Sequence, residues 1–263
     1  MIVRPGILPA MEEIQGKAFE INREYYERSS PGRDDYWRKM AAPRLRVRVL
    51  LRALKRFDPD DVVDLGCGGG VLLREIRARH PSARLCGIDL SREQIQENRR
   101  ISPWADWRVA NLDNLVEFEG PLAGGFDVVI ASEVIEHLDR PDWLLANARA
   151  LARPGGRLLV TTQSGAIRET ERRVGHRRHF SVSEMRDLLS RSGWQSEHIW
   201  NEGFPFHDLS KWYANRDPEA SMARFGQRAY GWREDLVCLA LRLVFGLNSR
   251  RRGAQLFAIA RRP

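Results

Sequence analysis

Lysine is scarce in this chain. Of 43 basic side chains in 263 residues, only Lys17, Lys39, Lys55 and Lys211 are lysines, so the positive charge is almost entirely arginine. Cysteine is scarce too. Cys67, Cys86 and Cys238 are odd in number and form no CxxC pair. That argues against a disulfide framework or a thiolate zinc site and fits a reducing, cytoplasmic setting. Long apolar runs are missing as well. Met1 to Ala10 carries two prolines and a glycine, unlike a signal peptide. The most apolar stretch, Leu236 to Leu247, is broken by Arg242 and is too short to span a bilayer. No internal repeat or low-complexity linker is visible.

What is present suits one elaborated domain with a substantial core. The chain is 43% hydrophobic and 30% charged, ordinary for a globular protein, but its net charge is +8. Such a surface serves nucleic acid, an acidic membrane or an anionic substrate, or simply keeps the protein soluble.

Residues 11–57 read as helical, broken at Pro31-Gly32. A regular alternation starts at Asp61. Apolar runs at 62–65, 84–88, 104–109, 126–131 and 156–162 alternate with helical stretches at 71–79, from Ser91, 141–152 and 183–191. Further strand-like pieces lie at 194–200 and 254–260, separated by a mostly helical insertion, 203–253, long enough to build a lid or substrate wall. Continuous apolar strands between helices predict a mainly parallel α/β sheet covered on both faces. Its functional loops should gather at the carboxyl edge. The expected division is an N-terminal helical cap, 1–57, and a core, 58–263.

The chemistry-bearing segment is Asp64-Leu65-Gly66-Cys67-Gly68-Gly69-Gly70, which closes the first strand and opens a helix. Glycines there permit a tight turn and let a ligand approach the backbone. Asp89 ends the second strand, where a carboxylate can accept both ribose hydroxyls of an adenosine. Its other reading is a helix cap, although Ser91 can do the capping.

With these motifs the chain resembles the class I S-adenosylmethionine-dependent methyltransferases over roughly residues 40–200. The resemblance rests on Val63 to Gly70, Gly87 to Ser91, Ala110 to Leu115, Phe126 to Leu138 and Leu151 to Leu158, in that order. It is nearest to the ubiquinone-pathway O-methyltransferases and to small-molecule methyltransferases of natural-product pathways. The resemblance implies a Rossmann-like, doubly wound sheet of seven strands. It implies S-adenosylmethionine as cofactor, S-adenosylhomocysteine as product, and no metal. Gly66, Cys67, Gly68 and Gly70 would line the methionine half, and Asp64 would hold its ammonium through water. Asp89 would take the ribose, Leu90 would pack on the adenine, and Asn111, with Leu112, would meet the adenine where relatives usually carry Asp. Ser132 and Glu133 would border the methyl group. Arg44 would hold the cofactor carboxylate, with Arg46 and Arg48 as competitors.

An oxygen or nitrogen acceptor often needs a base as it attacks, and His suits neutral pH. His179, then His176, in Arg172-Arg173-Val174-Gly175-His176-Arg177-Arg178-His179 are the candidates. A metal pair or a purely structural role are the other readings of these two. His137, in the Glu136-His137-Leu138 signature, reads as fixing its loop. The arginines around them should keep such a base unprotonated. Together with Arg168, they could orient an anionic acceptor, and Arg177 is the one placed at the substrate. Tyr25, Tyr26, Tyr36 and Trp37 would form a lid, and Phe206 and His207 a wall on the insertion.

A nicotinamide dehydrogenase shares the glycine loop but not the Glu136-His137 signature or the Pro154-Gly155-Gly156 turn. Nucleic acid is not the expected partner, since no Asn-Pro-Pro-Tyr-type motif is present. A cofactor-binding protein without catalysis is a further reading. So is an enzyme at a membrane surface, for which Leu236 to Leu247 followed by Arg250-Arg251-Arg252 could meet acidic headgroups. The plainer reading of that stretch is a buried helix beneath the lid.

Overall fold

The computed structural model describes residues 33–225 and 229–263. Each apolar run becomes a strand: β1 (Asp61–Leu65), β2 (Arg84–Asp89), β3 (Asp106–Val109), β4 (Phe126–Ser132), β5 (Ala152–Gln163), β6 (Gln195–Glu202) and β7 (Gln255–Arg261). They form one sheet in the order β3-β2-β1-β4-β5-β7-β6. Pairing is parallel from β3 through β5, and β7 is antiparallel to both its neighbours. The helices are α1 (Arg33–Lys39), α2 (Ala41–Phe57), α3 (Val71–Arg77), α4 (Arg92–Ile101), α5 (Pro141–Leu151), α6 (Glu169–Arg173), α7 (Val182–Arg191), α8 (Phe206–Ala214), α9 (Pro218–Phe225) and α10 (Trp232–Phe245).

Strand alternation divides the core. Val62, Val128 and Ile130 point to the face covered by Leu50 and Leu54 of α2, Leu73 and Ile76 of α3, and Ile95 of α4. Val63, Val129 and Ala131 point to the opposite face, under Leu144, Leu145, Ala148 and Leu189. Side chains from successive strand positions stand on opposite faces, so both must be apolar when both are covered. Residues 41–57, grouped by sequence with the N-terminal cap, thus insert one face into the core. Tyr25 and Tyr26 lie outside the described residues.

Two features fix what this scaffold can present. The order reverses between β1 and β4, and in open α/β sheets ligands bind at the carboxyl ends of strands at such a point. Because β7 runs backwards, its first residue, Gln255, lies at that same carboxyl edge, paired with Gln163 at the end of β5 and Glu202 at the end of β6. The chain therefore leaves β6 and enters β7 at the carboxyl edge. The intervening insertion has to sit there.

Ahead of the two histidines, α6 forms because Glu171 folds back to accept the Arg168 backbone N–H at 2.7 Å. One expectation is revised: 236–247 is not buried all round. α10 buries Glu234, Cys238 and Phe245 on one face and leaves Leu236, Leu239 and Leu243 exposed on the other, with Leu247 exposed just beyond its end.

Candidate active site

At the end of β1, the Gly66 and Cys67 N–H groups both donate to Ile88 O, at 2.7 and 3.1 Å, and Gly70 N–H donates to Cys67 O at 2.9 Å. Gly66 has φ +70°, and a Cβ there would lie 2.4 Å from Val134 Cγ2. Gly68 differs. Its φ is +48°, yet a Cβ would meet nothing within 4 Å. The backbone is held in a glycine conformation while the space above it stays open, as a cradle for a ligand requires. Asn98, buried on α4, donates to Gly68 O at 2.6 Å and fixes the turn from behind. Sequence reasoning missed Asn98, whose only signal is a polar residue on the inward face of an amphipathic helix.

Asp89 is tied to this loop. Its Oδ2 accepts from Gly68 N–H at 2.7 Å and its Oδ1 from Ser91 N–H at 2.8 Å. Ser91, not Asp89, caps α4, its Oγ accepting from Gln94 N–H at 3.2 Å. A carboxylate offers about four lone-pair positions, so acceptor capacity remains for a diol. Burial nevertheless pushes the Asp89 pKa up, against the pull of those N–H donors. Asp64 is more perturbed: burial and the nearby Asp89 raise it to about 8. The pocket therefore holds a carboxyl whose ionisation would be favoured by an incoming cation. Leu90 is half-buried and Leu112 buried, and Asn111 Oδ1 accepts from Asp113 N–H at 3.0 Å, with one lone pair remaining.

At the end of β4, Glu133 has φ +57°, a left-handed conformation that costs a non-glycine residue about 1 kcal/mol. Its neighbours compensate. Gln163 Nε2 donates to its Oε2 at 2.7 Å, while Gln255 Nε2 and Thr161 Oγ1 each donate to Oε1 at 2.9 Å. Since Thr161 gives its proton to Glu133, it accepts from Ser132 Oγ at 2.9 Å. Arg46 Nη1 lies 3.5 Å from Glu133 Oε2, and the Arg46 guanidinium carbon stacks on the ring of Trp37, 5.4 Å from its centroid. Burial opposes ionisation here, but Arg46 and the three donors outweigh it and hold Glu133 at about 2. Glu136, buried nearby and accepting from Thr162 Oγ1 at 2.8 Å, goes the other way: burial and the charge of Glu133 raise it well above the usual carboxylate range.

The two candidate arginines of α2 have different partners. Arg44 pairs with Glu75 of α3 at 2.5 Å, and Arg46 is the guanidinium that α2 delivers to the sheet edge. Helical geometry puts positions two apart on different faces, which charge alone cannot reveal.

Beyond Glu133 the polar chain continues. Lys211 of α8 donates to Gln163 Oε1 at 2.8 Å and pairs with Glu171 at 2.5 Å, and Glu171 Oε2 lies 3.8 Å from His179 Nε2. His179 Nε2 and His176 Nδ1 are 3.0 Å apart, and His179 Nδ1 is 3.0 Å from Gly165 O. A carbonyl only accepts, so neutral His179 carries its proton on Nδ1, and its Nε2 accepts from His176 Nδ1–H. That leaves the lone pair of this array on His176 Nε2. Burial, then His137, lowers His176 to about 2, and burial likewise lowers His179 against the opposing pull of Glu171. Burial, not the surrounding arginines, is what keeps both rings neutral. Glu136, His137 and His176 also bring possible ligand atoms within 4.8 Å of one another.

The other expected substrate contacts are dispersed. Arg177 pairs with Asp139, and Arg173 with Glu169 at 2.9 Å, while Arg178 donates to the Asp139 backbone O at 3.2 Å, and Arg168, Arg172 and Arg178 have no carboxylate partner among the described residues. Phe206 packs against Ala41, Leu45 and Phe245. His207 is buried beside Phe245 and lowered to about 3 by burial. Tyr36 lies edge-on to Trp37, with 5.5 Å between centroids.

Residues 36–199, more than half of the chain, match the profile of a family described as a methyltransferase domain. The chain belongs to that family. Among curated relatives of this methyltransferase-family chain, the ubiquinone biosynthesis O-methyltransferase of Xanthomonas axonopodis pv. citri is 36% identical over 105 residues, 38% of this chain and 42% of its own. The malonyl-[acyl-carrier protein] O-methyltransferase of Halalkalibacterium halodurans is 30% identical over 128 residues, 48% and 47% of the two chains. The aligned part is thus under half the length of either relative. The Burkholderia thailandensis 1,6-didemethyltoxoflavin-N1-methyltransferase, solved with S-adenosylhomocysteine, superposes with a TM-score of 0.57 at 17% identity, covering 99% of this chain and 93% of that one. At that identity the likeness establishes the fold.

Proposed function

We propose that the protein transfers a methyl group from S-adenosylmethionine to a small-molecule acceptor, releasing S-adenosylhomocysteine, with O-methylation favoured over N- or C-methylation. The observation that carries this reading is the juxtaposition of two sites at one switch point: the open Gly68 cradle bound to Asp89, and the polar cluster around Glu133. The residues fit the cofactor. Asp89 has lone pairs for the ribose, Asp64 is poised for the ammonium, Asn111 and Leu90 border the adenine side, and Arg46 takes the place foreseen for Arg44 at the carboxylate. When bound, S-adenosylmethionine supplies a methyl carbon on a sulfonium, open to in-line displacement.

His176 Nε2 takes the acceptor's hydroxyl proton as the acceptor oxygen attacks that carbon. His179 holds His176 in the required tautomer, and Glu171, steadied by Lys211, offsets the charge once the two rings share the proton. An anionic group on the acceptor falls to Arg168 and Arg172 at the rim. Glu133 keeps its four partners in place at the methyl-transfer point and excludes bulk water from it.

Incubation with methyl-labelled S-adenosylmethionine and a panel of small hydroxylated acids and amines tests this reading. Label should pass to an acceptor with stoichiometric S-adenosylhomocysteine. Tight cofactor binding with no transfer to any acceptor would make the protein a binder without catalysis.

Asp64 adds a pH dependence. Its pKa of about 8 in the empty pocket means that below pH 8 the carboxyl is protonated and must lose its proton to hold an ammonium. Cofactor affinity should therefore rise with pH, by up to about tenfold per unit, and level off above about 8. Calorimetry in buffers of different ionisation enthalpy should show close to one proton released near pH 7. An affinity that stays flat across this range would remove Asp64 from the ammonium site.

A further inference from the structure

Large apolar side chains are exposed very unevenly. Of the twelve that stand out among the described residues, nine lie between residues 204 and 247: Phe204, Leu209, Trp212, Tyr213, Trp232, Leu236, Leu239, Leu243 and Leu247. On α10 and just beyond it, Trp232, Leu236, Leu239, Leu243 and Leu247 follow one another at intervals of four, three, four and four residues, so they form a single stripe, each more than half exposed. The opposite face of the helix is already used: Glu234, Cys238 and Phe245 are buried, and Leu241 and Val244 pack on the cluster with Ala41 and Leu45. The stripe is therefore a second apolar face, beyond what the core needs. Patches of this kind mark contact sites.

The charge around the stripe says what it contacts. Arg233, Arg242, Arg250, Arg251 and Arg252 are exposed along and beyond the helix. Of the acids on α10, Glu234 is buried against Arg224, and Asp235 is held by Lys39 at 2.9 Å. Apolar side chains rimmed by arginine suit an acyl boundary beneath anionic headgroups, where the leucines enter the interface and the guanidinium groups stay with phosphate. No helix among the described residues is long and apolar enough to cross a membrane, so the contact is peripheral.

We propose that the outer face of α10, with the neighbouring apolar side chains of α8, docks the protein on an anionic lipid bilayer. The docking face adjoins the acceptor site, because α8 carries Lys211 inward to Gln163 and Glu171 while Trp212 and Tyr213, the next two residues, are exposed. An acceptor with an apolar tail would then approach from the lipid. That last consequence rests on the methyl-transfer reading; the docking itself does not.

Sedimentation of the full chain with vesicles tests it. One set is phosphatidylcholine alone, the other contains about a third phosphatidylglycerol. The protein should partition at least tenfold more strongly to the acidic vesicles, and high salt should weaken binding. Leu239→Glu with Leu243→Glu should abolish partitioning while S-adenosylmethionine binding is kept. A triple change of Arg242, Arg250 and Arg251 to Gln, which leaves the apolar stripe intact, should weaken it at least tenfold. Failure of the wild-type chain to sediment with acidic vesicles overturns the proposal. So does equal binding by the leucine variant. If light scattering shows a dimer that the leucine variant dissociates, and no lipid binding, the face joins two copies of the chain instead. Loss of methyl transfer with vesicle binding intact would count against the catalytic reading alone.

Discussion

His176→Ala should lower turnover by about 10²–10⁴-fold with cofactor affinity unchanged. The reason is the order of the histidine array. Gly165 O fixes the His179 proton on Nδ1, His179 Nε2 is occupied by His176, and only His176 Nε2 is left to accept a proton. His179→Ala should cost less than His176→Ala, since it releases the orientation of the base but not the base. Sequence alone favours the reverse order. Burial sets the pH behaviour. With His176 lowered to about 2, its neutral form is present throughout the working range, so kcat should show no acidic limb from this residue above about pH 4. Single-turnover rates for both variants, measured with saturating cofactor, check the ranking. Near wild-type rates in both would mean that the acceptor needs no protein base, as for a carbon nucleophile or an amine bound neutral.

Gly68→Val should abolish cofactor binding while the protein stays folded. Two effects act together. A branched residue resists φ +48° at a cost of about 1–2 kcal/mol, and its side chain fills space that no protein atom occupies. Because a Cβ at Gly68 meets nothing within 4 Å, the sheet itself is spared, and melting should fall by only a few degrees. Gly87 provides the contrast. There a Cβ would come within 2.5 Å of the buried Trp107 ring, so Gly87→Ala damages the core instead of the cradle. Circular dichroism and calorimetry on Gly68→Val separate the two cases. Retained binding would show that the loop is a plain turn.

The sequence was most informative where chemistry and local geometry coincide. The central strands β1, β4 and β5 announced themselves because a sheet covered on both faces needs continuous apolar runs, and the glycine loop and Asp89 lie within one strand–helix–strand unit. The site beyond them is assembled from distant segments. Gln163, Gln255 and Lys211 meet at one edge only because β7 runs backwards and returns the insertion there. Nothing in the spacing of Glu171 marks it as the partner of both Lys211 and His179. Arg44 and Arg46 are indistinguishable by charge, and only the face of α2 shows that one meets Glu75 and the other Glu133. The stretch 236–247 misled for a similar reason: its composition suits a buried helix, while its stripe of leucines lies on the side the core leaves uncovered.

The claim that the Gly66–Gly70 loop and Asp89 form a cofactor site for methyl transfer is tested most directly by calorimetric titration of the purified protein with S-adenosylmethionine, S-adenosylhomocysteine and NAD in parallel. The account predicts one site for each of the first two, with NAD binding weaker by two orders of magnitude or more, since the pocket offers Asp64 for an ammonium and no glycine-loop contact to a pyrophosphate is needed to explain its geometry. Saturable NAD binding with none for S-adenosylmethionine would contradict it.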